Sequence, residues 1–259
     1  MEPPISPLLF SILLFFGMLV LLEIGRYVGI KRRAREAEGE RSSLGTVEGA
    51  VFALFGLLMA FTFSGAASRF NEKRMLIAEE VNTVETAYLR LQLVPQGAQT
   101  PLQELFRQYV DSRVETYRKL PDMQAAELEM AKSKKLQDEI WTNAVTATRL
   151  SNSHEDAGKL LLPALNNMID IATTRTMALQ NHPPRIIFAL LFALGLICSL
   201  LAGYRMASGQ HRSWLHVLGF TVITVIIVYV ILDIEYPRAG LIRLETADQL
   251  LLHARDSMK

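Results

Sequence analysis

The sequence lacks the residue patterns on which enzymes, metalloproteins and nucleic-acid-binding proteins depend. It has a single cysteine, which excludes disulfide bonds within the chain and metal cages built from thiolates. It contains no glycine-rich phosphate loop, no HExxH and no G-x-S-x-G motif. Its five histidines are scattered, and no basic cluster is interleaved with aromatic residues. We therefore expect no catalytic residue, no metal ion or other cofactor and no nucleic-acid partner, and we do not expect an enzyme.

Charge is absent from four long runs. They are Leu8–Leu22, Ala50–Ala67, Ile186–Tyr204 and Leu215–Leu232, each close to the ~20 residues that a helix needs to cross a bilayer. The first run has no basic region before it and no small-residue cleavage site after it, so it is expected to be a retained span rather than a signal peptide. The sequence predicts an all-α, polytopic membrane protein with four transmembrane helices and a helical soluble domain, in contact with the lipid bilayer.

The same segregation of charge divides the chain into four parts. Residues 1–69 hold the first two spans, 70–183 form a helical soluble domain continuous with the second span, 184–234 form a transmembrane hairpin, and 235–259 are a C-terminal tail. Within the soluble part, 3-4 spacing of apolar residues predicts helices separated at prolines and polar loops. One of them is expected to restart at Thr100-Pro101, and the apolar side of the next is expected to include Leu128.

The second span carries two stripes of apolar or small residues. Gly56, Ala60 and Ser64 recur at every fourth position, a small-xxx-small pattern on which another helix can pack closely. About 100° away around the helix, a second stripe tapers from small to bulky and consists of Ala53, Leu57 and Phe61. A helix of this kind could line the neck of a hydrophobic pore. The alternative is a tightly packed bundle helix with no pore.

Charged residues near the ends of the spans are the other candidates. Glu23 and Arg26 share a helix face near the end of the first span, where they could be functional or could pair and snorkel to the interface. Arg69 follows the second span directly. Glu79 and Glu80 could form an acidic ring in an oligomer, or they could belong to a solvated helix face.

The fourth span ends in two acidic residues, Asp233 and Glu235. These two carboxylates could coordinate a cation, but ion pairing with two arginines of the tail, Arg238 and Arg243, is the simpler explanation. The tail itself contains one short amphipathic stretch, Leu250–Leu252.

Two segments carry a resemblance to a known family. They are GLLMAFTFSGAASRFNEKRMLIAEEVNTVETAYLRL and ILDIEYPRAGLIRL, and they resemble the bacterial bestrophin-like membrane proteins and, more distantly, bestrophin anion channels. The Gly-Phe step of bestrophins, followed by Arg and aromatic residues, corresponds here to Ala60-Phe61 and Arg69-Phe70. The acidic run of the bestrophin calcium clasp has no counterpart in the tail, so calcium gating is not implied.

The resemblance implies a homo-oligomer, a pentamer in bestrophins, in which the second span lines a pore for inorganic anions such as chloride. By position, the neck of that pore would consist of Ala53, Leu57 and Phe61, and the protein would lie in the bacterial inner (plasma) membrane. An apolar neck of this kind gates by dewetting. The leading hypothesis is thus an anion-permeable channel, and the alternative is a membrane-anchored sensor or scaffold whose helical domain binds a partner.

The orientation in the membrane stays open. No Lys or Arg precedes the first span and five lie between Lys31 and Arg41, so the positive-inside rule predicts an N-terminus outside the cell. Bestrophins, in contrast, keep both termini and the helical domain in the cytosol.

Overall fold

The computed structural model of the protein describes residues 6–32, 38–120, 122–207, 214–237, 241–242 and 245–258, with the side chains of 38–44 and 245–248 left out. These residues contain no β-strand, and the all-α prediction is confirmed. The helices are α1 Pro7–Arg32, α2 Glu38–Leu89, α3 Gln96–Lys119, α4 Met123–Thr148, α5 Ala157–Gln180, α6 Arg185–Met206, α7 Trp214–Glu235 and α8 Glu245–Ser257, with a 3-10 turn at Arg90–Leu93.

Four of the helices, α1, α2, α6 and α7, have stretches long and apolar enough to cross a membrane, which confirms the four predicted spans. The described residues form two compact units. Of the described residues, the membrane unit consists of 6–69 and 182–241, and the helical unit consists of 70–181 and of those from Ile242 onwards. The predicted turn between the last two spans and the tail arginines Arg238 and Arg243 lie outside the described residues.

Glycine allows α1 and α6 to pack backbone against backbone in the membrane unit. A Cβ atom at Gly25 would overlap the carbonyl oxygen of Leu200, and one at Gly203 would overlap the carbonyl oxygen of Leu22. A Cβ at Gly29 would lie 2.7 Å from a carbonyl oxygen of α6. Since helices in lipid associate mainly through close van der Waals packing, this contact is expected to stabilise the unit.

Replacing Gly203 with alanine is therefore expected to destabilise the membrane unit by about 1–3 kcal/mol, the usual cost of overpacking. The measurement is thermal unfolding of the purified protein in detergent. Gly219→Ala on α7 is the matched control, because a Cβ there would meet no described atom within 4 Å. Equal melting temperatures for the two variants would show that α1 and α6 do not pack this closely.

The helical unit has one apolar core, built from the stripes that the sequence predicted. Buried in it are Val81, Val84 and Leu91 of α2 and the turn after it, with Leu102, Phe106, Tyr109, Val110 and Tyr117 of α3 and Leu161, Leu165 and Met168 of α5. Helix α8 closes the core with Leu251, Ala254 and Met258. The amphipathic stretch predicted in the tail is thus part of a longer helix that packs on this unit.

Two local predictions were wrong. Helix α3 begins at Gln96, and Pro101 lies inside it rather than at its start, at the cost of one missing backbone N–H. Leu128 is 74% exposed rather than buried. At 100° per residue it lies about 140° around α4 from the buried Ser133, so it faces away from the core.

Candidate functional site

The second span buries one side and exposes the other. Between Ala50 and Ala67, the buried side chains of α2 are Phe55, Thr62 and Ala66, whose spacing of seven and four places them on one helix face. Phe55 packs in the core of the membrane unit, where its ring would lie 3.5 Å from a Cβ added at Gly195 of α6. This face fixes the rotation of α2 within the unit.

The three residues predicted to form a neck lie together on the opposite, exposed side. Phe61 is 67% exposed, and Leu57 and Ala53 are exposed as well. The stripe of small residues, Gly56, Ala60 and Ser64, is also exposed, and a Cβ at Gly56 would meet no described atom within 4 Å. One protomer therefore leaves both stripes without cover from its own described helices.

An ion pair holds the end of this stretch that leads into the helical unit. Arg69 binds Glu235 at the end of α7 in a fork, with Nη2 2.7 Å from Oε2 and Nε 3.2 Å from Oε1. The carboxylate of Glu235 is fully buried, whereas the side chain of Arg69 is 23% exposed. Nδ1 of His182 lies 3.0 Å from Oε1 of the same carboxylate, and the imidazole ring of His182 stacks on the ring of Tyr236. Arg69, predicted only as a charged candidate, thus has a defined partner 166 residues away.

A second ion pair lies towards the other end of the same stretch. Nη1 of Arg205, at the end of α6, is 3.3 Å from Oε2 of Glu48, which is buried. The helix rises roughly 32 Å from Glu48 to Arg69 at about 1.5 Å per residue, close to the ~30 Å hydrocarbon thickness of a bilayer. The exposed apolar face of α2 therefore lies between two ion pairs that are one membrane thickness apart.

The remaining charged candidates near the membrane differ in their burial. Glu23 is exposed on α1 and Arg26 is partly buried. Asp233 is buried, and its Oδ1 accepts a hydrogen bond from the backbone N–H of Leu241 at 2.9 Å. In the described part of the chain, no group of three or more His, Cys, Asp or Glu residues is placed to hold a metal ion.

The prediction for Glu80 was wrong. Glu79 is exposed, but Glu80 is fully buried in the helical unit, so both a solvated face and an acidic ring are wrong for it. Its Oε1 accepts a hydrogen bond from Nε of Arg113 at 2.6 Å, and its Oε2 pairs with Nη1 of Arg175. The Arg175 guanidinium in turn lies 3.5 Å from the centre of the Tyr117 ring, a cation–π contact. These four residues are the ionic cluster of the helical unit.

The sequence held a signal for this burial. Glu80 lies three residues after Ile77 and four before Val84, both of which are buried on α2. Its position on the apolar face therefore indicated burial, although its charge suggested exposure. The two arginines that compensate the charge are 33 and 95 residues away along the chain, and no local pattern identifies them.

Electrostatics hold the Glu80 carboxylate in its charged form. Burial on its own would raise the pKa of Glu80, but the charges and hydrogen bonds of Arg113 and Arg175 outweigh it and leave the pKa below its ordinary value. Burial likewise raises the pKa of Tyr109, which lies in the same core, so this phenol stays neutral.

This shift predicts a pH dependence of stability. The pKa of Glu80 is lower in the folded than in the unfolded chain. Its contribution to the stability of the fold is therefore fully present when the pH is above the pKa of the unfolded chain, about 4.3. It is lost as the pH falls from there through the folded pKa. We expect the melting temperature of the helical unit to decrease when the pH is lowered below about 4. In Glu80→Gln this decrease is expected to be less steep. Parallel pH profiles for the two proteins would contradict this assignment.

Comparison with known proteins identifies the family. A family model of the bestrophin-like domain matches residues 11–248. Among solved structures, a crystal structure of a bacterial bestrophin homolog from Klebsiella pneumoniae, with one tyrosine-to-alanine mutation, matches with a TM-score of 0.55 and 16% sequence identity. The match covers 93% of this chain and 98% of that one, and shows that the two folds are alike. No curated protein sequence matches significantly. Because the family model spans most of the chain, this protein belongs to the bestrophin-like family.

Proposed function

We propose that several copies of this chain assemble into an anion-permeable channel in the bacterial inner membrane, with five copies by analogy with bestrophins. The observation that carries this proposal is the exposed face of α2. Ala53, Leu57 and Phe61 follow one another at every fourth residue on a stretch of membrane length, on the side opposite to the buried Phe55.

The composition of this face favours a protein partner over lipid. The exposed side of α1 carries bulky apolar residues, among them Leu9, Phe16 and Val20, as expected for contact with lipid tails. The exposed side of α2 also carries bulky residues such as Leu54 and Phe61, but it combines them with Gly56, Ala60 and Ser64. Small residues are enriched where transmembrane helices approach closely, because they allow the backbones to come together. This stripe would let neighbouring copies of α2 pack around a common axis.

In such an assembly the tapered stripe would face the axis. Rings of Leu57 and Phe61 would form the narrowest part of the pore, and Ala53 would leave it wider on one side. A narrow apolar ring excludes water, so ions cross it only when it widens or when its surface becomes less apolar. The neck would therefore control permeation without a binding site for the ion.

The direct test is halide flux through liposomes that contain the purified protein, with its oligomeric state measured by crosslinking. We expect a chloride flux above that of protein-free liposomes and an oligomer larger than a dimer, since two copies of one helix cannot enclose a pore. A folded oligomer that carries no flux, either as the wild type or as Phe61→Ala, would reject the channel. It would favour the membrane-anchored sensor or scaffold.

A further inference from the structure

Arg69 extends the ridge of α2 that carries the proposed neck. The positions 53, 57, 61, 65 and 69 are each four apart, and every such step turns the helix by about 40°. Arg69 therefore lies about 80° around from Phe61, and it comes seven residues after the buried Thr62, on the same helix face. Its side chain is nevertheless partly exposed. A Cβ added at Gly65 would be 3.2 Å from Nη1 of Arg69, so the guanidinium lies back over Gly65, towards the neck.

The two charges of the Arg69–Glu235 pair differ in their access to the surface. The side chain of Arg69 is partly exposed and its guanidinium lies beside Gly65 of the ridge, whereas the carboxylate of Glu235 is fully buried and has His182 on its Oε1. An ion near this end of the neck would thus approach the positive member of the pair more closely than the negative one. Glu235 orients Arg69 through two-point binding and at the same time weakens its field.

We propose that this pair sets the ion selectivity of the pore, with Arg69 attracting anions at the mouth of the neck and Glu235 limiting that attraction. This inference rests on the proposed channel function. Arg69 lies two turns, about 12 Å, from Phe61, farther than the ~8 Å screening length at physiological salt, so its charge acts on ions at the mouth rather than on ions inside the ring of Phe61. Its charge therefore acts on ions that enter or leave the neck, and every copy in the assembly adds one such charge to the field.

The experiment is the chloride-to-potassium permeability ratio, measured from reversal potentials in planar bilayers under a KCl gradient. Arg69→Gln and Glu235→Gln both destroy the same ion pair. We expect their permeability ratios to shift in opposite directions, downwards for Arg69→Gln and upwards for Glu235→Gln, each on the order of threefold. The double variant Arg69→Gln/Glu235→Gln restores the wild-type balance of charge, and its ratio is expected to return towards that of the wild type.

A purely structural role predicts a different pattern. If the pair only holds α2 in place, both single variants change the ratio in the same direction and the double variant does not recover, which would overturn the proposal. Arg69→Lys keeps the charge without the fork, so a ratio close to the wild type is expected even if Arg69→Gln folds poorly. Clear currents with the same ratio in all variants reject only the selectivity role. The absence of current in every protein, including Phe61→Ala, rejects the pore and this role together.

Discussion

Glu80→Gln is expected to destabilise the helical unit by about 3–5 kcal/mol, the typical cost of removing one partner from a buried ion pair. The substitution keeps the size of the side chain but removes its charge. Arg113 and Arg175, whose side chains are at most 4% exposed, would then remain charged in the core without a carboxylate. Two buried guanidinium groups without a counter-charge cost far more than the lost hydrogen bonds.

Hydrogen exchange of the α3 amides in the full-length protein measures this effect, because it reports on the helical unit separately from the membrane spans. Glu79→Gln is the matched control. It changes the same residue type one position earlier on an exposed site, and we expect it to stay within about 0.5 kcal/mol of the wild type. Similar exchange rates in both variants would mean that solvent already compensates the charge of Glu80.

The helices of the fold were predictable wherever one physical effect, such as the cost of placing charge in lipid, determines which residues can occur. A run of about 18 residues without charge has few alternatives to a membrane helix, because charged groups are costly in lipid. All four spans were predicted for this reason. The core helices of the helical unit were predicted because burial of one face imposes a regular apolar spacing, as with Val84 of α2 and Leu91 of the turn after it.

Residue pairs that meet across the fold were not predictable in this way. Glu80 was predicted to be exposed because of its charge, although its position in the helix indicated burial. Glu235 was predicted to interact with nearby residues of the chain, whereas its partner is Arg69 on another helix. The close contact of α1 and α6 was missed for a similar reason. Gly25 and Gly203 are visible in the sequence, but their spacing does not say which helix each of them meets. Local sequence patterns identify which face of a helix is buried. Which other helix that face contacts depends on the whole fold.

Phe61→Ala is the variant for which we expect the largest change in function, a rise of about tenfold in chloride flux, equivalent to a barrier lower by ~1.4 kcal/mol. Each copy would lose a bulky apolar side chain from the proposed ring. A wider and less apolar constriction holds water more easily, so ions cross it with a smaller loss of hydration. Flux through liposomes at equal protein content is the measurement.

Phe16→Ala on α1 separates this effect from a general loss of packing. Phe16 is 61% exposed, close to the 67% of Phe61, but it lies on the face of α1 with bulky apolar residues. If that face contacts lipid and the face of α2 surrounds a pore, only Phe61→Ala raises the flux. An equal rise in both variants would indicate leakage from loosened helices, and an unchanged flux in a conducting Phe61→Ala protein would remove Phe61 from the neck. Because the two side chains match in type and exposure, the comparison tests what each face of the protomer contacts in the assembled protein.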